Sequence, residues 1–258
     1  MTSLFRTDLL ADRVAIVTGA SSGLGAHFAQ VLADHGAAVA CCARRADKLA
    51  DTVSAIEASG GQALAVEMDV TDRDSIADAF ETADRALGQA TILINNAGMA
   101  STDRSIDLDA ETWNRVMETN LTGAWAVAQR AAKDMIAAET PGTIVNIASI
   151  LGLRQAGGVL PYAVSKAGLV QMTKSLALEW ARHGIRVNAI APGYIETDLN
   201  REFLESEGGQ ALMKRVPQRR FGKPADLDGV LLLLSSDASD FMTGEVVAVD
   251  GGHLVNTL

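Results

Sequence analysis

Apolar residues fall in short unbroken runs, and between these lie longer stretches with apolar positions at helical spacing. The short runs predict strands over residues 13–18, 38–42, 63–67, 91–95, 143–148, 186–190 and 246–249. The stretches between them predict helices over 24–35, 46–58, 73–87, 110–138, 161–183 and 224–235. The strands are rich in Val and Ile, as expected where both faces are covered. Strand–helix alternation predicts an α/β fold, a Rossmann-like doubly wound parallel sheet of about seven strands with helices on both faces. No linker or repeat divides the 258 residues, so a single domain is expected. Segment 198–222 breaks the rhythm. It is polar and charged, contains Gly208-Gly209, has no strand pattern and follows the sixth strand. It reads as a disordered surface excursion or a substrate lid, and the lid is expected because ligands bind beyond the carboxyl ends of strands in such sheets.

Composition narrows the setting. A net charge of −10 repels a phosphate backbone, which argues against nucleic acid as a partner. No apolar run approaches the roughly 20 residues of a membrane helix. Arg6 and Asp8 interrupt the first residues, against a secretory signal. Cys41 and Cys42 are adjacent within an apolar run, which reads as reduced core residues and a cytoplasmic protein. His27, His35, His183 and His253 share no metal-ligand spacing, so no metal is expected.

Thr18-Gly19-Ala20-Ser21-Ser22-Gly23-Leu24-Gly25 joins the first strand to the first helix. Glycines there allow a tight turn and close approach of a pyrophosphate, which the helix N-terminus would meet with free N–H groups. The G-x-x-x-G-x-G spacing differs from the general dinucleotide fingerprint, so the turn alone is a weak signal. The second strand ends Cys41-Cys42-Ala43-Arg44-Arg45, with no acid to hold a ribose hydroxyl. Arg44 or Arg45 would instead favour the extra phosphate of NADP. Ser21-Ser22 lacks a further basic residue, which leaves NAD possible. The alternative reading is that both arginines are a solvated helix start.

Tyr162 and Lys166 stand four apart, one helical turn on one face, with Pro161 as a fitting first-turn residue. A phenol titrates near 10, and bringing it to neutrality takes about 4 kcal/mol. One positive charge about 4 Å away at an effective dielectric of about 20 supplies that much, and desolvation opposes it. Ser149 ends the fifth strand and Asn120 lies within the long predicted helix, where an amide is unfavourable without a partner. Asn95, Asn96, Ala97 and Gly98 end the fourth strand, and Pro192 and Gly193 the sixth. All of these converge on one sheet edge.

These elements, with Asp69-Val70 and the terminal Val249-Asp250-Gly251-Gly252, resemble the short-chain dehydrogenase/reductase family over essentially the whole chain. The resemblance implies that Tyr162 is the general acid/base, that Ser149 orients the reacting oxygen, and that Asn120 holds a water for proton relay. It implies that Lys166 lowers the Tyr162 pKa and binds the nicotinamide ribose. Asp69 and Val70 would lie near adenine, Asn95 to Gly98 beside the cofactor, and Ile195 and Thr197 beside the carboxamide and phosphates. Ala43 stands where NAD-using members carry Asp. A homotetramer is implied, with the two long helices packing between subunits. The expected activity is hydride transfer between NADP(H) and the carbonyl or secondary-alcohol carbon of a small to medium substrate. Reduction of a sugar carbonyl or a 3-oxoacyl thioester, a non-redox reaction, or nucleotide binding without catalysis remain open. Met99, Leu151, Gln155 and Tyr194 lie just beyond strand ends and could line a substrate pocket. Trp113 and Trp125 read as core or subunit-interface residues.

Overall fold

Seven strands pair in parallel in the order β3-β2-β1-β4-β5-β6-β7. They are β1 (Val14–Thr18), β2 (Ala38–Ala43), β3 (Gln62–Glu67), β4 (Ile92–Asn95), β5 (Gly142–Ile147), β6 (Ile185–Pro192) and β7 (Val246–Val249). The computed structural model describes residues 6–197 and 200–255. Between the strands run α1 (Gly23–Asp34), α2 (Ala46–Ala58), α3 (Arg73–Leu87), α4 (Ala110–Met117), α5 (Ala124–Ala137), α6 (Leu160–Trp180), α7 (Arg201–Glu205), α8 (Glu207–Met213) and α9 (Asp228–Ser235).

Side chains along a strand point alternately to opposite faces, and the core divides accordingly. Ala15, Val17, Val39, Cys41, Ile92 and Ile94 pack with α1, α2 and α9 through Phe28, Leu32, Leu49, Ile56 and Leu231. Ile16, Ala40, Cys42, Leu93, Ile144 and Val187 face the other way, onto Ile76 and Phe80 of α3, Val127 and Met135 of α5, and Leu176 of α6. The adjacent cysteines thus belong to opposite cores. Both are free and buried, and burial pushes the Cys41 thiol up to about 12. Among the described residues no helix is long and apolar enough to cross a membrane.

The order of the strands reverses between β1 and β4, so the chain leaves these neighbours in opposite directions and opens a crevice at their carboxyl ends. Every loop needed for a site emerges on that edge.

Three expectations are corrected. The predicted helix 110–138 is not continuous: a π-helical turn, Glu118–Gly123, separates α4 from α5. The turn adds one residue to the helical circuit and brings Asn120 inside, where it is fully buried. Segment 198–222 has more structure than its polar pattern suggests. It forms α7 and α8, and Gly222 makes a parallel bridge with Ile195. Gly222 N–H donates to the Tyr194 carbonyl at 2.9 Å and Glu196 N–H to the Gly222 carbonyl at 2.8 Å. Asp198 and Leu199 of that segment lie outside the described residues. The sixth strand runs on to Pro192.

Gly123 makes the π-turn possible in this packing. A Cβ there would lie 2.7 Å from the Val70 carbonyl oxygen and 3.0 Å from that of Glu118. Both neighbours are backbone. Gly123→Ala is expected to destabilise the protein by about 1–3 kcal/mol, seen as a fall of several degrees in Tm. An unchanged Tm would contradict the tight approach of the π-turn to the loop after β3.

Candidate active site

The carboxyl edge carries a cleft of about 660 Å³. Every residue expected to bind cofactor lines it except Gly25 and Asn95. Gly25 is buried beneath the turn, where a Cβ would collide with the Gly19 carbonyl oxygen. It shapes the turn from behind. Asn95 is also buried and turned away, with Nδ2 donating to the Ala124 carbonyl at 2.8 Å and to Asn146 Oδ1 at 3.2 Å. That amide joins β4 to β5 and α5 instead of facing a ligand.

The loops on either side of the strand-order reversal are stitched by Thr18. Its Oγ1 accepts from the N–H groups of Asn96 and Ala97, each at 2.9 Å. Asn96 Nδ2 returns a bond to the Thr18 carbonyl at 3.0 Å. Past Thr18 the chain turns at Gly19 and Gly23, both in the left-handed region at φ 68° and 55°. A Cβ on Gly23 would meet open cleft before the Thr197 methyl at 4.0 Å. No side chain caps α1, so its N-terminal N–H groups remain available to an anion. The donor set and the glycine cradle fit a dinucleotide pyrophosphate.

Both arginines after β2 line the cleft. Arg44 Nη1 lies 3.9 Å from Asp69 Oδ2. Arg45 Nη2 donates to Ser21 Oγ at 2.9 Å and to Ser22 Oγ at 3.1 Å. The glycine turn, which has no basic residue of its own, therefore receives one from the next helix start.

At the inner end, Tyr162 lies in the first turn of α6 and Lys166 one turn on. Ser149 lies two residues past β5, with Oγ accepting from Leu151 N–H at 3.1 Å. Lys166 is buried, and its Nζ donates to the Ile147 carbonyl at 2.7 Å. That nitrogen is 5.6 Å from the Tyr162 ring centroid. The expected lowering of the Tyr162 pKa by Lys166 is not the balance found. Burial pushes the phenol up, a hydrogen bond with Ser149 opposes it, and Tyr194 adds to the rise. Burial also brings Lys166 down to about 8. Desolvation is the largest cause for both groups.

Asn120 does not line the cleft. Its Oδ1 accepts from Met99 N–H at 2.8 Å, and its Nδ2 donates to the Met99 carbonyl at 2.8 Å and to Ser165 Oγ at 3.0 Å. Its side chain is thereby committed to protein partners, so the expected water would have to be held by other atoms of the turn. Met99, Leu151 and Tyr194 line the cleft as expected, whereas exposed Gln155 does not. Trp125 is at the surface, beneath the Arg73 guanidinium 4.5 Å from its ring. The histidines lie apart, with His27 bonded to Asp228, His35 to the Val31 carbonyl, His183 beside Arg182 and His253 tilted against the Tyr194 ring.

Sequence reasoning gave Thr18 and Ser165 no role of their own and did not single out Phe203 and Leu204 of segment 198–222, which border the cleft. Thr18 was detectable as a hydroxyl closing a strand before a glycine turn. Ser165 was detectable as the polar residue three positions after Tyr162, on its face of the helix.

A family model described as Enoyl-(Acyl carrier protein) reductase matches residues 19–253. The chain is 40% identical over 249 residues to cis-4-hydroxycyclohexanecarboxylate dehydrogenase of Sinomonas cyclohexanicum, covering 95% of this chain and 98% of that protein. It is similar to the crystal structure of a short-chain type dehydrogenase/reductase from Mycobacterium marinum, with TM-score 0.91, 37% identity, and 96% and 97% of the two chains covered. It is also similar to a gluconate 5-dehydrogenase from Burkholderia cenocepacia J2315, solved in complex with NADP and tartrate. There the TM-score is 0.92 and the identity 34%, with 97% and 98% covered.

The buried ammonium gives a pH signature. Lys166 is lowered from 10.5 to about 8. Between about pH 8 and pH 10 the unfolded chain therefore holds a proton that the folded chain has released, and stability rises with pH. In protein stripped of nucleotide, the urea midpoint should rise from about pH 7 to about pH 9.5 relative to that of Lys166→Met. Parallel midpoints would contradict the buried placement of this ammonium.

Proposed function

The chain belongs to the short-chain dehydrogenase/reductase family, and on that premise we propose that it is an NADP(H)-preferring oxidoreductase. It moves a hydride between the nicotinamide and the carbonyl or secondary-alcohol carbon of a small to medium, largely apolar substrate. The observation that carries this reading is one cleft with Ser149, Tyr162 and Lys166 at its inner end and Arg44 and Arg45 at its outer end.

When bound, NADP(H) supplies the hydride chemistry. The chain's own residues supply the rest. The turn from Gly19 to Leu24 would hold the pyrophosphate, Arg44 and Arg45 the additional phosphate, and Asp69 and Val70 would flank the adenine. Asn96, Ala97, Gly98, Pro192, Gly193, Ile195 and Thr197 form the walls towards the nicotinamide. Ser149 holds the substrate oxygen. Tyr162 gives that oxygen a proton in reduction and takes it back in oxidation. A phenol pushed up by burial keeps its proton at neutral pH, which suits the reductive direction. Lys166, with a pKa of about 8, is mostly charged near pH 7. It binds the nicotinamide ribose and stabilises the phenolate that proton donation leaves.

Met99, Leu151, Val159, Tyr194, Phe203 and Leu204 border the substrate end. These walls favour an alicyclic or aliphatic ketone or alcohol over a polyhydroxylated one. The 40% identical relative named for a hydroxycyclohexanecarboxylate supports the same preference. Segment 198–222 acts as the lid, with Phe203 half-exposed over the cleft. Exposed apolar side chains on the two long helices, Trp125 and Ile136 on α5 and Val164 and Leu178 on α6, support a homotetramer with these faces buried. The free buried thiols fit a cytoplasmic setting.

Tyr162→Phe is expected to lower kcat with NADPH and a ketone panel by about 10²–10⁴-fold while NADPH affinity stays within about threefold of the parent. Retained turnover would overturn the proton-donor assignment, and NADPH binding without any turnover would favour a non-redox or binding role. Replacing Arg44 by Ala should raise KM for NADPH by about tenfold or more, as charge-assisted bonds are lost, and leave KM for NADH nearly unchanged. Tighter use of NADH by the parent protein would refute the cofactor preference.

A further inference from the structure

Ser165 is wholly buried on α6 between Tyr162 and Lys166. Its Oγ donates to the Tyr162 carbonyl at 2.7 Å and accepts from Asn120 Nδ2 at 3.0 Å. These two bonds fix a direction. A carbonyl can only accept, so the Ser165 proton must point back along the helix to Tyr162. The oxygen's lone pair is then left facing Asn120, which must present an N–H. That requirement sets the amide's orientation and leaves Oδ1 towards the N–H of Met99. The other Asn120 N–H takes the Met99 carbonyl. The reversed amide would set oxygen against oxygen at the Met99 carbonyl and leave Ser165 without a donor.

One hydroxyl thus joins three parts. The first turn of α6 carries Tyr162, the π-turn carries Asn120, and Gly98-Met99 forms a wall of the cleft. The wall is close to the reacting groups, since a Cβ on Gly98 would lie 3.3 Å from Asn120 Oδ1 and 3.6 Å from Lys166 Nζ. Apolar packing holds the same helix pair a turn further on, where Gly168 lets Leu121 approach α6. That contact sets separation, whereas the Ser165 bond sets orientation.

We propose that Ser165 is a positioning residue for the reaction: it fixes the Asn120 amide and, through it, the π-turn and the Met99 wall in register with Tyr162. This rests on the reading of Tyr162 as proton donor. Only a side chain that donates and accepts at one atom serves here. Ala does neither, Thr does both, and Cys does both weakly.

The test compares Ser165→Ala, Ser165→Thr and Ser165→Cys with the parent enzyme in NADPH-dependent ketone reduction, alongside Tyr162→Phe. Ser165→Ala is expected to lower kcat by about 10–100-fold, the scale of a misplaced reacting group. Its KM for NADPH should stay within about threefold, and the alkaline limb of kcat/KM against pH should move. Thr should restore kcat to within about threefold of the parent, with Cys intermediate. Asn120→Ala combined with Ser165→Ala should be little worse than Asn120→Ala alone, because both break one network. Wild-type kcat and pH profile in folded Ser165→Ala, or effects of the two substitutions that multiply independently, would overturn the proposal. If Ser165→Ala does not fold, wild-type kcat in Ser165→Cys would overturn it equally. An inactive Tyr162→Phe beside a fully active Ser165→Ala would defeat this inference alone, whereas an active Tyr162→Phe would defeat the reading on which it rests.

Discussion

Parallel pairing throughout the sheet puts the carboxyl end of every strand on one edge. The rest of the molecule depends on that constraint. Each crossover must return a helix to the opposite edge, so the helices cover both faces and the loops collect on one side. Residues as far apart as Gly19, Arg45, Asp69, Ser149 and Gly193 meet there although no local sequence feature links them. Within that edge, only the boundary between β1 and β4 has loops that diverge, and Thr18 ties its two sides together.

The architecture was legible because both signals that encode it are local. Short Val/Ile-rich runs and helical periodicity located every strand and the principal helices to within a few residues. The corrections fall where tertiary partners overrule periodicity. Nothing in the apolar spacing of 110–138 reveals a π-turn, because the turn is held by Met99 and Ser165, residues from other parts of the chain. Of the four residues expected to do chemistry, Ser149, Tyr162 and Lys166 face the cleft, whereas Asn120 is one layer behind it. Asn95 and Asn96 are adjacent and look equivalent in sequence. The strand's alternation turns one into the core and leaves the other at the cleft.

The electrostatics of the inner site show why residue types alone do not fix the direction of a pKa. A lysine one turn from a tyrosine suggests a lowered phenol. Here burial desolvates both groups, so the phenol rises and the ammonium falls. Without a bound cation the phenol stays protonated through neutral pH, while the ammonium sits close enough to neutrality to respond to small changes around it. An added positive charge in the cleft would favour the phenolate and the neutral amine together.

The bridge between Ile195 and Gly222 has a consequence for how such a protein can change over generations. Asn200 Nδ2 also bonds the Ile195 carbonyl at 2.8 Å, so both ends of the excursion are moored to one short stretch after β6. Lengthening or replacing what lies between the moorings strains no strand, and doubling its length costs only about 0.6 kcal/mol in closure entropy. Mutation can therefore exchange the part of the cleft border that Phe203 and Leu204 form while the glycine turn and the sheet remain as they are. Variation is thus easiest to accommodate in the border this segment gives the cleft, at no cost to the strands on which it is moored.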